Sequence, residues 1–367
     1  MPAHRIATIV LLAALAVGMP GSGLAWDRGK VDILTVLPAG STGPEGLTVG
    51  PDGNVYVTTF GFNSQGSVSG PSQLFVIRPD GSLVRQVAIQ NSTPHVLGLE
   101  FNPKTTDLIV LDFGAGTALK VDPKTGHSSL FMTASTTGVP DPKTPGTDPL
   151  KSGLNALTFD RKGNAYISDS FQGIVWTVGP NGGATANKLG TIWVEDATLT
   201  TSGFPPFGAN GVEFNNAGNI LFAANTGNRQ LIKIPVNSNG TAGTPSVFVN
   251  SLGGADGIRI DADDNIWVCA NQEDEIVVVD PTGKVIAKLG DFYGVDEKGV
   301  PQGLLFPASL AFGADGKWLY VSDLALDVTV PGLGLTEAID SQWAHLVKRY
   351  TVSKLRATIP PFPRDSD

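Results

Sequence analysis

The chain has 367 residues and a single cysteine, Cys269. No intrachain disulfide can brace it, so its stability must come from packing and from any metal it binds. Cys269 lies in an apolar strand pattern and reads as a small buried hydrophobe. Only 16% of residues are charged and the net charge is −9, with no basic stripe along the chain. That argues against a nucleic-acid partner, because nothing would neutralise the phosphates. Histidine occurs four times: His4 near the start, His127 after a turn glycine, His345 at the head of an expected strand, and His95. There is no Gly-x-Ser-x-Gly elbow, phosphate loop or dinucleotide fingerprint, so a serine-nucleophile enzyme is unsupported. Beyond the N-terminus no apolar run is long enough to span a bilayer.

The N-terminus itself is patterned for export. His4 and Arg5 precede an apolar run over residues 6–17, followed by Met19-Pro20 and small residues ending Gly23-Leu24-Ala25. That is the layout of a secretory signal with a cut near Ala25, which places the mature protein in the periplasm or the medium. The expected organisation is a signal over 1–25, one folded domain over 26–357, and a loose proline-rich tail over 358–367.

What the chain has in abundance is a repeat. Pro44-Glu45-Gly46-Leu47-Thr48-Val49 is followed by the turn Pro51-Asp52-Gly53 and the strand-like Val55-Tyr56-Val57. Five more copies open at Leu97-Gly98, Asn155-Ala156, Asn210-Gly211, Asp256-Gly257 and Ala308-Ser309, each trailed by a polar turn and a second apolar strand. Short alternating strands recurring about every fifty residues are the signature of a propeller. The expectation is therefore all-β, a six-bladed β-propeller. The segment 31–37 precedes the first repeat, and the sixth copy is one strand short. Placing 31–37 at the outer edge of the last blade closes the ring and hides an open edge. The third strand of that blade is expected at residues 346–352. Long connections are expected over residues 60–72, 135–153, 290–306 and 324–344.

In a propeller the first strand of each blade lines the central channel, so one repeat position forms a ring at the channel mouth. Here that ring is Glu45, Leu97, Asn155, Asn210, Asp256 and Ala308. Two carboxylates and two amide oxygens converging on one axis are hard ligands, and leaving both carboxylates ionised without a cation would be costly. Ca²⁺ accepts such a set with waters completing its shell, whereas Zn²⁺ would want the His or Cys that the ring lacks. Glu45, Asn155, Asn210 and Asp256 are accordingly the candidate metal ligands. A second set, Asp112, Asp169, Asn225, Asn271 and Asp323, lies just past the second strands. Its members could support the ring, contact substrate or act as a base. His95, two residues before ring position Leu97, could shuttle a proton.

Phe207-Gly208-Ala209-Asn210-Gly211-Val212-Glu213-Phe214 with Gly218-Asn219, and Gly254-Ala255-Asp256-Gly257-Ile258-Arg259-Ile260-Asp261 leading to Ile266-Trp267-Val268, resemble the gluconolactonase/regucalcin (senescence marker protein) family of six-bladed propellers. Paraoxonases and strictosidine synthase-like proteins are related to that family. The resemblance spans about residues 31 to 352. It implies that Glu45, Asn210 and Asp256 hold a divalent metal, commonly calcium, and that Asn155 contacts metal or substrate. Where gluconolactonases carry an Asp after the blade-three Asn and often an Arg two residues before it, this chain has Ala156 and Gly153. Where paraoxonases place a His on the blade-two ring position, it has Leu97. The metal cage carries over further than the sugar-lactone chemistry.

These readings converge on an exported, Ca²⁺-dependent hydrolase of lactones or other small esters. The metal polarises the carbonyl, Asp256 or Asp169 activates water, and Asn155, His95 and Asp112 contact the substrate. The alternative is a non-catalytic binding propeller stapled by a structural metal.

Overall fold

The computed structural model describes residues 28–135, 152–335 and 341–359; the expected signal and nearly all of the tail and of the connection 135–153 lie outside them. Six four-stranded antiparallel sheets make the six blades. Their inner strands are Pro44–Val49, Val96–Phe101, Leu154–Phe159, Ala209–Phe214, Ala255–Ile260 and Pro307–Phe312. Each second strand is sandwiched between neighbouring blades and is largely apolar and buried, as in Val55–Thr59 and Ile266–Ala270, where every residue is buried. The outermost strands are far more open, mostly half-buried or exposed, as in Leu83–Ala88 and Ser246–Asn250.

Ring closure follows the expected route. Asp32–Val36 pairs antiparallel with Thr351–Arg356 and becomes the outer strand of blade six, with Ile33 opposite Ser353 and Val36 opposite Thr351. The third strand of that blade is a correction to the sequence reading. It runs over Thr351–Arg356, not residues 346–352. Ser341–Ala344 forms one helical turn first, and the chain needs residues 345–350 to return to the sheet, so His345 is exposed on a loop rather than starting a strand. Two of the long connections hold small hairpins of their own, Phe62–Asn63 with Gly66–Ser67 and Phe292–Val295 with Pro301–Gly303. Among the described residues no helix is long and apolar enough to cross a membrane.

One local irregularity is repeated in all six blades. The register between first and second strands slips at the ring position, between Pro44 and Leu47, Val96 and Leu99, Leu154 and Leu157, Ala209 and Val212, Ala255 and Ile258, and Pro307 and Leu310. A bulge re-aims the side chain it carries, here the ring residue. The glycine that follows has its own reason. A Cβ on Gly211 would stand 2.4 Å from the Asp256 carbonyl oxygen, and one on Gly257 would stand 2.5 Å from that of Ala308. In blades one, two, four and five the inner strand thus presses its bulge onto the backbone of the next blade and glycine fits there, whereas blades three and six carry Ala156 and Ser309 at this position.

Further along the channel Arg259 bridges three blades. Its guanidinium donates to Glu100 at 2.5 Å and Glu213 at 3.1 Å, while Thr48 and Thr158 hydroxyls donate to the same two carboxylates at 2.8 and 2.9 Å.

Candidate metal centre

The four oxygen-bearing ring residues come together. Glu45, Asn155, Asn210 and Asp256 line one cavity at the channel mouth, and each is no more than 5% exposed. Neighbouring hydroxyls settle how the amides point. Ser170 spends its proton on the Ala209 carbonyl at 2.7 Å, so it can only accept from Asn155 Nδ2, at 3.0 Å. Thr226 does the same one blade on, donating to Ala255 O at 2.8 Å and accepting from Asn210 Nδ2 at 3.0 Å. With its nitrogen on Ser170, Asn155 leaves its amide oxygen unpaired on the cavity, while Asn210 sits between Thr226 and Asp256. In blade five the corresponding residue, Asn271, donates to Asp256 Oδ2 at 2.8 Å.

Three buried oxygens on this cavity have no hydrogen-bond partner: Glu45 Oε2, Asn155 Oδ1 and Asp256 Oδ1. Unpaired buried acceptors are rare in native proteins, and three aimed into one space ask for a shared partner. Burial first, and then the charge of Asp256, pushes Glu45 well above the usual carboxylate range. Burial also pushes Asp256 up to about 7, against hydrogen bonds from Asn271, Asn210 and the Gly257 backbone. Two carboxylates that resist ionisation side by side, with amide oxygens beside them, fit a hard divalent cation, which would hold both ionised. Among the described residues there is no cluster of three or more His, Cys, Asp or Glu. The ring meets the demand with two carboxylates and two amides, a donor set that suits calcium and not zinc. The cavity has about 30 Å³ of room, enough for an ion and a water, since one water needs roughly 10–15 Å³.

The mouth has two unlike halves. Strand pairing makes Phe60, Phe113, Ser170, Thr226, Asn271 and Leu324 equivalent, each just past its second strand. In blades three, four and five this position is polar and supports a ring oxygen. In blades six, one and two it is apolar. The ring residues of blades two and six, Leu97 and Ala308, belong to the apolar half too. Over that half lies a strap from blade six, whose Leu324, Leu326 and Val328 pack against Phe60 and Phe306 above the ring. The strap is pinned at its start by Leu324 N–H to Phe306 O and Ala325 N–H to Leu305 O, both at 3.1 Å, and is braced internally by Thr329 Oγ1 donating to the buried Asp327 carboxylate at 2.6 Å.

The remaining candidates stand elsewhere. Asp169 is fully buried and both its oxygens are taken. It accepts from Ser152 Oγ, the Gly153, Phe171 and Gln172 amides, Gln172 Nε2 and Trp176 Nε1 at 2.8–3.2 Å. Asp112 ties Thr93 and Ala115 in the same manner. Neither carboxylate lines the cavity; both fix loops of their blades. His95 is half-buried beside the mouth. It stacks on Phe62 at 4.6 Å and its ring nitrogens reach Phe60 O at 2.8 Å and Ser67 Oγ at 3.0 Å. Sequence reasoning passed over Ser170 and Thr226, which orient the ring amides, and the strap's apolar face. The first two had a signal, a hydroxyl residue shortly after the second strand of each Asn-bearing blade.

Comparisons with known proteins agree on the architecture. Residues 143–322 match the family described as SMP-30/Gluconolactonase/LRE-like region, and residues 32–60 match Strictosidine synthase-like, N-terminal. Among solved structures, regucalcin from Agrobacterium tumefaciens, described as a calcium-binding protein, superposes with a TM-score of 0.59 at 17% identity, over 92% of this chain and 98% of its own. A gluconolactonase from Xanthomonas campestris gives 0.57 at 12% identity, over 89% of each chain. A luciferin-regenerating enzyme gives 0.58 at 15%, over 89% of this chain and 95% of its own. At these identities the likeness is one of fold. No curated protein sequence matches the chain.

Proposed function

We propose that this chain, a six-bladed propeller carrying an SMP-30/gluconolactonase-like region, is an exported, calcium-dependent hydrolase of lactones or small esters. The observation that carries the reading is the set of unpaired oxygens of Glu45, Asn155 and Asp256 buried on one cavity. The family match and the calcium-binding regucalcin neighbour point the same way, and the leader over residues 1–25 supports export. Glu45, Asn155, Asn210 and Asp256 hold the cation, with Ser170, Thr226 and Asn271 fixing their orientation. When bound, the metal polarises the ester carbonyl and stabilises negative charge on its oxygen.

The protein's own part is to orient the acyl carbon and to move protons. Asp256 takes a proton from the attacking water. Asn271 anchors its Oδ2, so the one oxygen turned to the cavity, Oδ1, would serve the cation and the attacking water in turn. Water oxygen bonds to the acyl carbon, the acyl C–O bond breaks, and the departing alkoxide takes the proton back to give a hydroxy acid or an alcohol and acid. Asp169, with both oxygens held, maintains the blade-three loop. The innermost space of about 30 Å³ admits an ion and water but not a lactone, so the body of the substrate would lie in the mouth beyond it, against the strap and Phe207.

The test is hydrolysis of sugar, aliphatic and aromatic lactones by mature protein, with and without chelator, beside Glu45→Gln. Turnover abolished by chelator, restored by calcium and missing in the variant is the expected result. A chelator that lowers only the melting temperature, with no turnover on any lactone, favours a propeller stapled by a structural metal.

A further inference from the structure

The two-sided mouth says more about the substrate than its ester bond. We propose that the substrate is an apolar lactone or ester, one whose body is alkyl or aryl and carries no free hydroxyls; this rests on the hydrolase reading above. Apart from the four ring residues, the polar side chains on the cavity are Thr226 and Asn271. Thr226 is engaged with Asn210 and the Ala255 carbonyl, and Asn271 is engaged with Asp256. The rest of the lining is Phe60, Leu97, Pro205, Phe207, Phe306 and the strap residues. Among the described residues no arginine, lysine, histidine, serine, tyrosine or glutamine lines it. A sugar lactone bears hydroxyls around its ring, and here they would meet hydrocarbon. Each hydroxyl buried without a partner lowers affinity by roughly tenfold or more.

Further out the apolar character continues. Phe60 meets Phe113 edge-on at 5.7 Å, Phe113 meets Phe171 at 5.4 Å, and Phe171 stacks on Phe207 at 5.8 Å. These rings come from blades one, two and three and from the connection into blade four. Phe113, Phe171 and Phe207 are each only partly buried, so they form an approach to the cavity and not a sealed core. A carbonyl presented to the polar half would leave the substrate body lying on Leu97, Phe60 and this aromatic arc, beneath Leu326 and Val328. An alkyl or aryl body matches that surface at its full extent.

The experiment compares kcat/KM for calcium-loaded mature protein on ring-matched lactones: a polyhydroxylated one, a series with alkyl chains of increasing length, and one fused to an aryl ring. The expected result is a gain of about three- to fourfold per methylene, with the polyhydroxylated lactone at least about 100-fold below the best alkyl member. Equal or better turnover of the sugar lactone, with no dependence on chain length, overturns the proposal and leaves the hydrolase reading standing. Leu326→Gln should reduce the alkyl preference by about tenfold while calcium affinity is unchanged; an unaltered preference counts against the proposal. A readout free of catalysis accompanies these, namely thermal stabilisation by an alkyl-substituted lactam and by a polyhydroxylated lactam, which are not hydrolysed. The alkyl lactam alone should raise the melting temperature. If neither lactam does, or only the polyhydroxylated one, the proposal fails even where no lactone is turned over and the hydrolase reading has fallen on its own.

Discussion

Removing the metal should make the protein lose stability as the pH rises. In the metal-free fold Asp256 keeps its proton up to about 7, against 3.8 for an ordinary aspartate. Between those values the folded state holds a proton that the unfolded chain has released, so raising the pH favours unfolding until the folded carboxyl has ionised as well. At about 1.4 kcal/mol per pH unit the whole interval amounts to roughly 4 kcal/mol, of which roughly 3 kcal/mol falls between pH 5 and pH 8. Glu45, raised by burial and by Asp256, acts in the same direction. For a domain of this size the loss corresponds to a fall in Tm of about 4 °C. The assay is thermal unfolding of protein stripped with EDTA and dialysed, at intervals from pH 5 to pH 8, with and without saturating calcium. Calcium should abolish the slope by holding both carboxylates ionised. Asp256→Asn should flatten it without calcium and be more stable than the unaltered protein at pH 8. Metal-free stability that stays level or climbs with pH would refute the reasoning, since the two buried carboxylates would then have found other partners.

Four more outcomes follow from the same geometry. Thr226→Val and Ser170→Ala free the ring amides to turn, and calcium affinity by titration calorimetry should fall about tenfold for each. Asp169→Asn presents an amide group to N–H donors and should cost about 1–3 kcal/mol in urea unfolding, with kcat unchanged; a lost kcat with intact stability would restore Asp169 as the base. Arg259→Met leaves Glu100 and Glu213 facing each other in the channel. With all three side chains about a fifth exposed, the loss should be about 2–3 kcal/mol, less than for a fully buried group. Gly211→Ala drives a methyl into the Asp256 carbonyl and should destabilise by about 1–3 kcal/mol while weakening calcium binding, both readable from one calcium-dependent melting series.

The architecture was legible because every blade repeats the same physics: an inner strand with a small residue after the ring position, a turn, then a fully buried strand. Each copy reinforced the others, so the closure by Asp32–Val36 could be read from a missing strand alone. The ring was legible for the same reason, since equivalent positions in a closed array must converge. The chain after Val330 was not, because the blade-six excursion has no repeat partner and its helical turn at Ser341–Ala344 delays the strand to Thr351. Asp112 and Asp169 were harder to place because an aspartate past a strand looks alike whether it faces a channel or ties a loop. Only the six donors around Asp169 tell the two apart. The bulge that aims the ring inward was also hidden, for the sequence shows only the glycine that permits it.

The most direct test of the account is to titrate stripped mature protein with calcium and follow heat of binding and hydrolysis of an alkyl lactone in the same samples. Binding at one site, turnover that rises with the same midpoint, and the loss of both in Glu45→Gln are what the account predicts. Calcium that binds and stabilises while no ester or lactone is hydrolysed at any occupancy would contradict it, and would leave the ring as a staple at the centre of a binding propeller.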